Sequence, residues 1–389
     1  MESRDGRDLL GNRPRKKLGE IGGPETWWVE RQQALEHAGY MLRPRYRPDW
    51  TPSWAGTDKL PLNFEDGHRQ LRRLCMDATR ISDGKPVMLK RLLEKEGPHE
   101  LQINKLFSAG PLASDPRNHC ARLLDIIELP NDPPIMVHAL LRSFYDPKFQ
   151  TFGEFVTFVA QIWCGVLARE QRCSPVRCRF FLRSRTSSCL PLLTFFVCRD
   201  CTRQNIMLDP SNMYPESFHP VVTSRSKDFR RKANAYSRTW RPTRYLLIDF
   251  GHSRRYDLSK GPPLDEPLRG ADKSAPEHQN GTLCDPFPTD VYYLGNMIRE
   301  NYSQKYKGFA FMESLIADMT QEDPLQRPTM DKVTARFTEL MKGLSTWKLR
   351  SRMVRKNEMW PVTAWRAVNH WSRTVRYVLA NKAAIPEPS

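Results

Sequence analysis

The stretch from Leu71 to Leu93, LRRLCMDATRISDGKPVMLKRLL, sets two short apolar runs on either side of Ser82-Asp83-Gly84-Lys85. Asp-Gly between such runs is a strong hairpin signal, because both residues accept the positive φ that a tight turn demands. Two antiparallel strands are therefore expected here, with Lys90 closing the second. Downstream, Pro98 to Phe107 reads as a helix with Leu101, Ile103, Leu106 and Phe107 as its apolar positions. Short strands follow at Leu123 to Leu129 and Ile135 to Leu140. The segment from Gly153 to Ala168 is apolar on most faces, which predicts a helix buried inside a larger domain. Upstream, Pro24 to Gly39 places Trp28, Gln32 and Leu35 at helical spacing, and the Pro- and Trp-rich residues 41–56 read as an extended arm. A strand-rich first part followed by a helix-rich second part predicts an α+β fold with two lobes.

Composition bounds the rest. The chain has 389 residues, 39% of them hydrophobic and 10% aromatic, enough to bury a sizeable core. The longest apolar run, Leu190 to Val197, is eight residues and interrupted by a Thr, far short of the roughly 20 that span a bilayer. Residues 1–24 are polar and Arg-rich, read as disordered, and lack the apolar centre of a secretory signal. Nine cysteines without such a signal argue for reduced thiols and an intracellular, cytoplasmic or nuclear location. The net charge of +17 is concentrated in two places. Gln171 to Arg244 carries 15 Lys/Arg against four acids, and Ser345 to Ser389 nine against two. The remainder is close to neutral, so nucleic-acid binding would rest on those two segments alone and is not expected of the core.

Four short segments follow one another in an order that matters more than any one of them. CRDCTRQNIML brings Asp200 and Asn205; YLLIDFG ends on Asp249-Phe250-Gly251; Ala275-Pro276-Glu277 comes 26 residues after Asp249; and Asp290 precedes Asp323-Pro324-Leu325-Gln326-Arg327-Pro328. In this order the sequence resembles the eukaryotic protein kinase family over roughly residues 60–345, and it is similar to kinase-like proteins of basidiomycete fungi. The resemblance implies a bilobal fold, with a small strand-rich lobe at 60–141 and a larger helical lobe at 142–345. Residues 25–59 would form a helix plus arm ahead of them, and 346–389 a basic Trp-rich tail.

It implies chemistry too. Phosphoryl transfer needs positioning and neutralisation of the charge on a triphosphate. By the resemblance, Asp200 accepts the proton of a substrate Ser/Thr-type hydroxyl, while Asp249 and Asn205 hold Mg²⁺. Lys90 contacts the α- and β-phosphates of ATP, and Glu100 is its partner. Glu277 and Arg327 are expected as a buried ion pair, and Asp290 as an acceptor for backbone N–H groups under the catalytic loop. The protein substrate is not legible.

Several positions depart from the family pattern. The segment ahead of Lys90, EDGHRQLRRLCMDATR, has a single glycine, Gly67, where backbone must approach phosphate closely. Cys198 stands for the usual His, and Thr202 for a Lys that steadies the γ-phosphate, with Arg203 one place off. These departures keep a second reading open, a pseudokinase acting as an interaction scaffold; a third is a basic nucleic-acid or membrane-surface protein on a borrowed fold. Residues 171–197 are anomalous: 27 residues without Asp, Glu, Lys, Gly or Ala, read as translated intron. Cys198-x-x-Cys201 lacks a second ligand pair at matching spacing, so a zinc site is not expected. In the tail, Trp365, Val368, Trp371, Val375 and Val378 recur at helical intervals. That basic amphipathic helix is expected to dock its Trp face on the protein body, with a membrane surface or partner protein as the alternative.

Overall fold

The computed structural model describes residues 19–93, 95, 97–170, 194–257, 263–268, 272–281 and 283–388. Of residues 1–24, expected to be disordered, 1–18 lie outside the described residues, as does most of the anomalous segment 171–197, whereas Gly23 and Pro24 open a helix. The chain forms two compact units, one from Met1–Leu92, Leu123–Leu140 and Tyr214–Ala235, the other from Leu93–Arg122, Leu141–Met213 and Tyr236–Ser389.

The first unit is built on an antiparallel sheet. Its strands are β1 (Tyr40–Leu42), β2 (Cys75–Arg80), β3 (Pro86–Arg91), β4 (Leu123–Ile127) and β5 (Ile135–Ala139), in the order β1-β2-β3-β5-β4. The hairpin forms where the Asp-Gly signal falls. Cys75 faces Lys90 and Thr79 faces Pro86, while Gly84 takes φ +68° and the Asp83 carboxylate accepts from Arg80 at 2.6 Å. Alternation puts Met76, Ala78, Val87, Leu89 and Val137 on one face, buried with Trp28, Leu35 and Tyr46. Lys90 shares the opposite face with its cross-strand neighbours Cys75 and Met136.

Two expectations need correction here. The helix over Pro24 to Gly39 is broken into α1 (Gly23–Val29) and α2 (Gln32–His37). The break is held by Arg31, whose guanidinium bonds Asp132 at 2.7 Å and lies 4.3 Å from the centre of the Trp27 ring. Nor is the arm over residues 41–56 extended throughout. Tyr40–Leu42 is an edge strand of the sheet, and Arg45 and Tyr46 are buried, with Arg45 paired to Glu25 at 3.0 Å. Proline spacing gave no hint of this, because the burying contacts come from α1 and from Asp66, distant in sequence.

The second unit contains α3 (Glu100–Ser108), α4 (Gly110–Ala113), β6 (Arg142–Ser143), α5 (Phe152–Glu170) and β7 (Thr194–Val197). It continues with β8 (Ile206–Leu208), β9 (Tyr245–Leu247), β10 (Arg254–Asp257), α6 (Glu277–Asn280), α7 (Pro286–Ile298) and α8 (Ala310–Met319). The last helices are α9 (Met330–Lys342), α10 (Thr346–Arg350) and α11 (Trp360–Leu379). Helix α5 is the buried helix that its apolar composition predicts. Phe155, Phe158 and Ile162 are wholly inaccessible, and Trp163 packs edge-on against Phe337 of α9 at 4.9 Å. Beside it, β6, β8 and β9 make a small antiparallel sheet, and β7 pairs with β10. The α3 segment, expected within 60–141, groups with this second unit, whereas residues 214–235 group with the first.

The tail corrects a further expectation. Helix α11 is anchored through His370, Thr374 and Tyr377, whose hydroxyl bonds Ser237 at 2.7 Å. The face carrying Trp365, Val368, Val375 and Val378 is exposed. No helix among the described residues is long and apolar enough to cross a membrane.

Candidate functional site

The predicted site residues of the second unit are assembled by strand register. β8 and β9 pair antiparallel with Ile206 opposite Leu247, so the residue before β8 and the residues after β9 leave the hairpin at the same end. Asn205 is the former, and its carbonyl accepts from the N–H of Ile248 at 2.9 Å. Asp249 comes next. Asn205 then reaches Asp200: its amide nitrogen donates to the Asp200 carboxylate at 2.7 Å and to the Asp200 carbonyl at 3.0 Å. That orientation turns the Asn205 amide oxygen away from Asp200. Both residues are buried, while the Asp249 side chain is exposed and its neighbour Phe250 is sunk 6.3 Å from Phe107 of α3.

Two non-glycine residues in this cluster hold left-handed backbone, Arg199 at φ +60° and Asp249 at φ +62°. Each costs roughly 1 kcal/mol or more, and such conformations persist where surrounding contacts over-determine them. For Arg199 those contacts are explicit. The N–H groups of Cys198 and Arg199 both point at one oxygen of Asp290, at 2.9 and 3.0 Å, forming a concave backbone nest around it. The Arg199 side chain pairs with Asp265 at 3.0 Å and bonds the Glu266 carbonyl at 2.6 Å. Ser253, three residues after Phe250, donates to the Cys198 carbonyl at 3.0 Å. The loop carrying Asp200 is thus tied from three directions.

Electrostatics follow from these contacts. Asp290 is wholly buried, and burial pushes its carboxyl up to about 7 despite the two N–H donors, with the Asp200 charge adding to the shift. Among the described residues, its second oxygen has no hydrogen-bond partner. Asp265 is also pushed up by burial, but bonds from Tyr256 and the charges of Arg199 and Arg254 outweigh this, so it lies below its ordinary value.

Glu277 and Arg327 meet as a two-pronged pair at 2.6 and 2.9 Å, with Thr289 adding a bond to Glu277 at 2.8 Å. Burial would raise the Glu277 carboxyl, yet the guanidinium holds it below the usual range. The pair fixes α6 against the loop before α9. Lys90 lies on the central strand of the first unit. Glu100 opens α3 of the second unit and is buried beside Gly97, whose added Cβ would stand 2.9 Å from the Gly251 Cα.

The departures also take physical form. Gly67 is buried, and a Cβ there would collide with the Pro61 carbonyl; close packing, rather than an open approach for phosphate, accounts for the glycine. Thr202 is buried, and its hydroxyl has no hydrogen-bond partner among the described residues. Arg203, one place on, holds its guanidinium carbon 3.7 Å from the centre of the Tyr145 ring. Ser253, which lies between Asp249 and Ala275, is a buried tie. Arg199 and Asp265 were not singled out in the sequence. An Arg beside Asp200 is the one available signal, and its partner lies 66 residues away with no spacing rule to find it.

No family model matches the chain, and no curated protein matches it.

The donor set suits a hard cation: an exposed carboxylate at Asp249, an amide oxygen at Asn205 and the neighbouring Asp200. Among the described residues, no group of three or more His, Cys, Asp and Glu side chains is placed to hold a metal. Mg²⁺, which keeps several waters and shares its shell with phosphate oxygens, is served by one or two protein ligands.

Proposed function

We propose that the second unit carries a phosphoryl-transfer site of the protein kinase type, using Mg-ATP and a Ser/Thr-type hydroxyl as acceptor. The observation that supports this most is the convergence of Asp200, Asn205 and Asp249 at one end of the β8–β9 hairpin, with left-handed backbone at Arg199 and Asp249. In this reading Asp249 and Asn205 hold the ion, which when bound neutralises phosphate charge. Asp200 orients the acceptor hydroxyl and takes its proton, and the amide of Asn205 fixes the rotamer of that carboxylate. Asp290 holds the loop from beneath through the Cys198 and Arg199 N–H groups. Lys90 is assigned the α- and β-phosphate contact, with Glu100 supporting it, on the sequence resemblance alone.

A second reading, a pseudokinase that binds partners without turnover, is favoured by Gly67, which packs against Pro61, and by Thr202 in place of a cation. Thermal-shift titration with Mg-ATP separates these outcomes, because a ligand that binds only the native state stabilises by mass action. The enzyme reading expects a saturable wild-type shift that Asp249→Asn removes, together with phosphate transfer to a generic acceptor protein. No shift at millimolar nucleotide refutes both catalysis and nucleotide binding. A shift without transfer leaves the scaffold.

A further inference from the structure

Helix α11 shows three different faces along its length. One, through His370, Thr374 and Tyr377, is buried against the body of the second unit. A second is a continuous apolar strip of Trp360, Val368, Trp371, Val375, Val378 and Leu379, of which Trp360 is 81% and Val368 71% exposed. Trp347, 72% exposed, extends this strip by packing on Trp371 at 5.4 Å between ring centres. The third face brings Arg366, Arg373 and Arg376 to a cavity of about 620 Å³, also lined by Lys148, Arg352 and Arg355. The lone carboxylate lining it among the described residues, Glu358, is already held by Arg352 at 2.6 Å and Arg366 at 2.8 Å. Among the described residues, the side-chain cations of Lys148, Arg373 and Arg376 have no carboxylate partner.

The helix is already secured to the body through His370, Thr374 and Tyr377, so the strip is not needed to hold it there. We infer that α11 and Trp347 form a docking surface for an anionic lipid bilayer. In this arrangement the Trp/Val strip lies at the depth of the headgroups and the basic cavity takes negatively charged headgroups. The charge argues for lipid over the other occupants. A second copy of this chain would bring two Arg-lined faces together on partners that each carry +17. A nucleic acid would satisfy the arginines and leave the apolar strip in water. An anionic bilayer covers both, because apolar insertion and electrostatic attraction act on neighbouring faces of the same helix.

The test uses the full chain with vesicles of phosphatidylcholine alone or mixed with phosphatidylserine, read by co-sedimentation and by the tryptophan emission maximum. The wild type is expected to sediment with the mixed vesicles, with a blue-shifted emission, and to be released by salt. Val368→Asp with Val375→Asp, both at exposed positions, is expected to weaken binding at least tenfold while the far-UV spectrum is unchanged. Arg373→Gln with Arg376→Gln is expected to weaken binding about fivefold per charge removed and to flatten the salt dependence. Equal binding to both vesicle types, or unaltered binding by the Val pair, overturns the inference. Dimerisation abolished by the Val pair without vesicle binding assigns the strip to a second copy. Duplex binding insensitive to the Val pair, without vesicle binding, assigns the basic face to nucleic acid.

Discussion

Replacing Asp290 with Asn tests the support beneath the candidate catalytic loop. In the wild type one carboxylate oxygen accepts from two backbone N–H groups and the other, among the described residues, accepts from none, in a site closed to water. Burial raises this carboxyl to about 7, some three units above an ordinary aspartate, and each unit corresponds to about 1.4 kcal/mol. The sign follows from proton uptake: between about pH 4 and pH 7 the native state binds more protons than the unfolded chain. The stabilisation by neutral Asp290 is therefore complete below about pH 4 and is lost as pH rises through 7, a change of about 4 kcal/mol. Asn keeps an acceptor for the nest and does not titrate. Urea unfolding of both proteins from pH 4 to pH 8 should show the stability difference moving by up to about 4 kcal/mol in favour of Asn. A difference constant across that range would refute a buried, proton-binding Asp290. Asp200→Asn should shift the wild-type transition to lower pH by removing a neighbouring negative charge.

Three further outcomes can be checked. Arg327→Met strands a buried Glu277 carboxylate and should cost about 3–5 kcal/mol; at roughly 2–4 °C per kcal/mol, the melting temperature drops by about 6–20 °C by calorimetry. Adding Glu277→Gln to that variant should recover part of the loss. Glu65 accepts from His219 at 2.9 Å and Arg43 at 3.0 Å, which overcome burial and hold its carboxyl at about 2. The stability this lends is present at neutral pH and lost as pH falls from about 4.5 towards 2, and Glu65→Gln should flatten that part of an acid-unfolding curve. Gly67→Ala must displace the Pro61 carbonyl and should cost about 1–3 kcal/mol in chemical unfolding, even though the substitution adds only a methyl group.

Legibility in the sequence followed the range of the governing interaction. The β2–β3 hairpin and α5 were readable because turn chemistry at Asp83-Gly84 and the density of apolar residues over Gly153 to Ala168 are local signals. Asp200, Asn205 and Asp249 were chosen by order and resemblance; the strand register that brings them together depends on a pairing across 36 intervening residues. The Tyr40–Leu42 strand was hidden by the surrounding prolines, which dominate a local reading while its partner, β2, lies more than 30 residues on. The face on which α11 docks was misjudged for a related reason. Periodicity identifies an apolar stripe, but whether the body offers it a complementary surface is a property of other segments. Here the body instead offered Ser237 and Trp240 to Tyr377.

The pairing of β8 with β9 makes the site tolerant of length change in one place and intolerant in another. Residues added at the exposed turn around Arg230-Arg231-Lys232 lengthen a connection without touching the pairing that aligns Asn205 with Ile248. One residue inserted within Ile206–Leu208 or Tyr245–Leu247 would shift the strands by a single step and swing Asn205 or Asp249 to the reverse side of the ribbon. Length can thus change at that turn, whereas the six residues of the two short strands must keep their number.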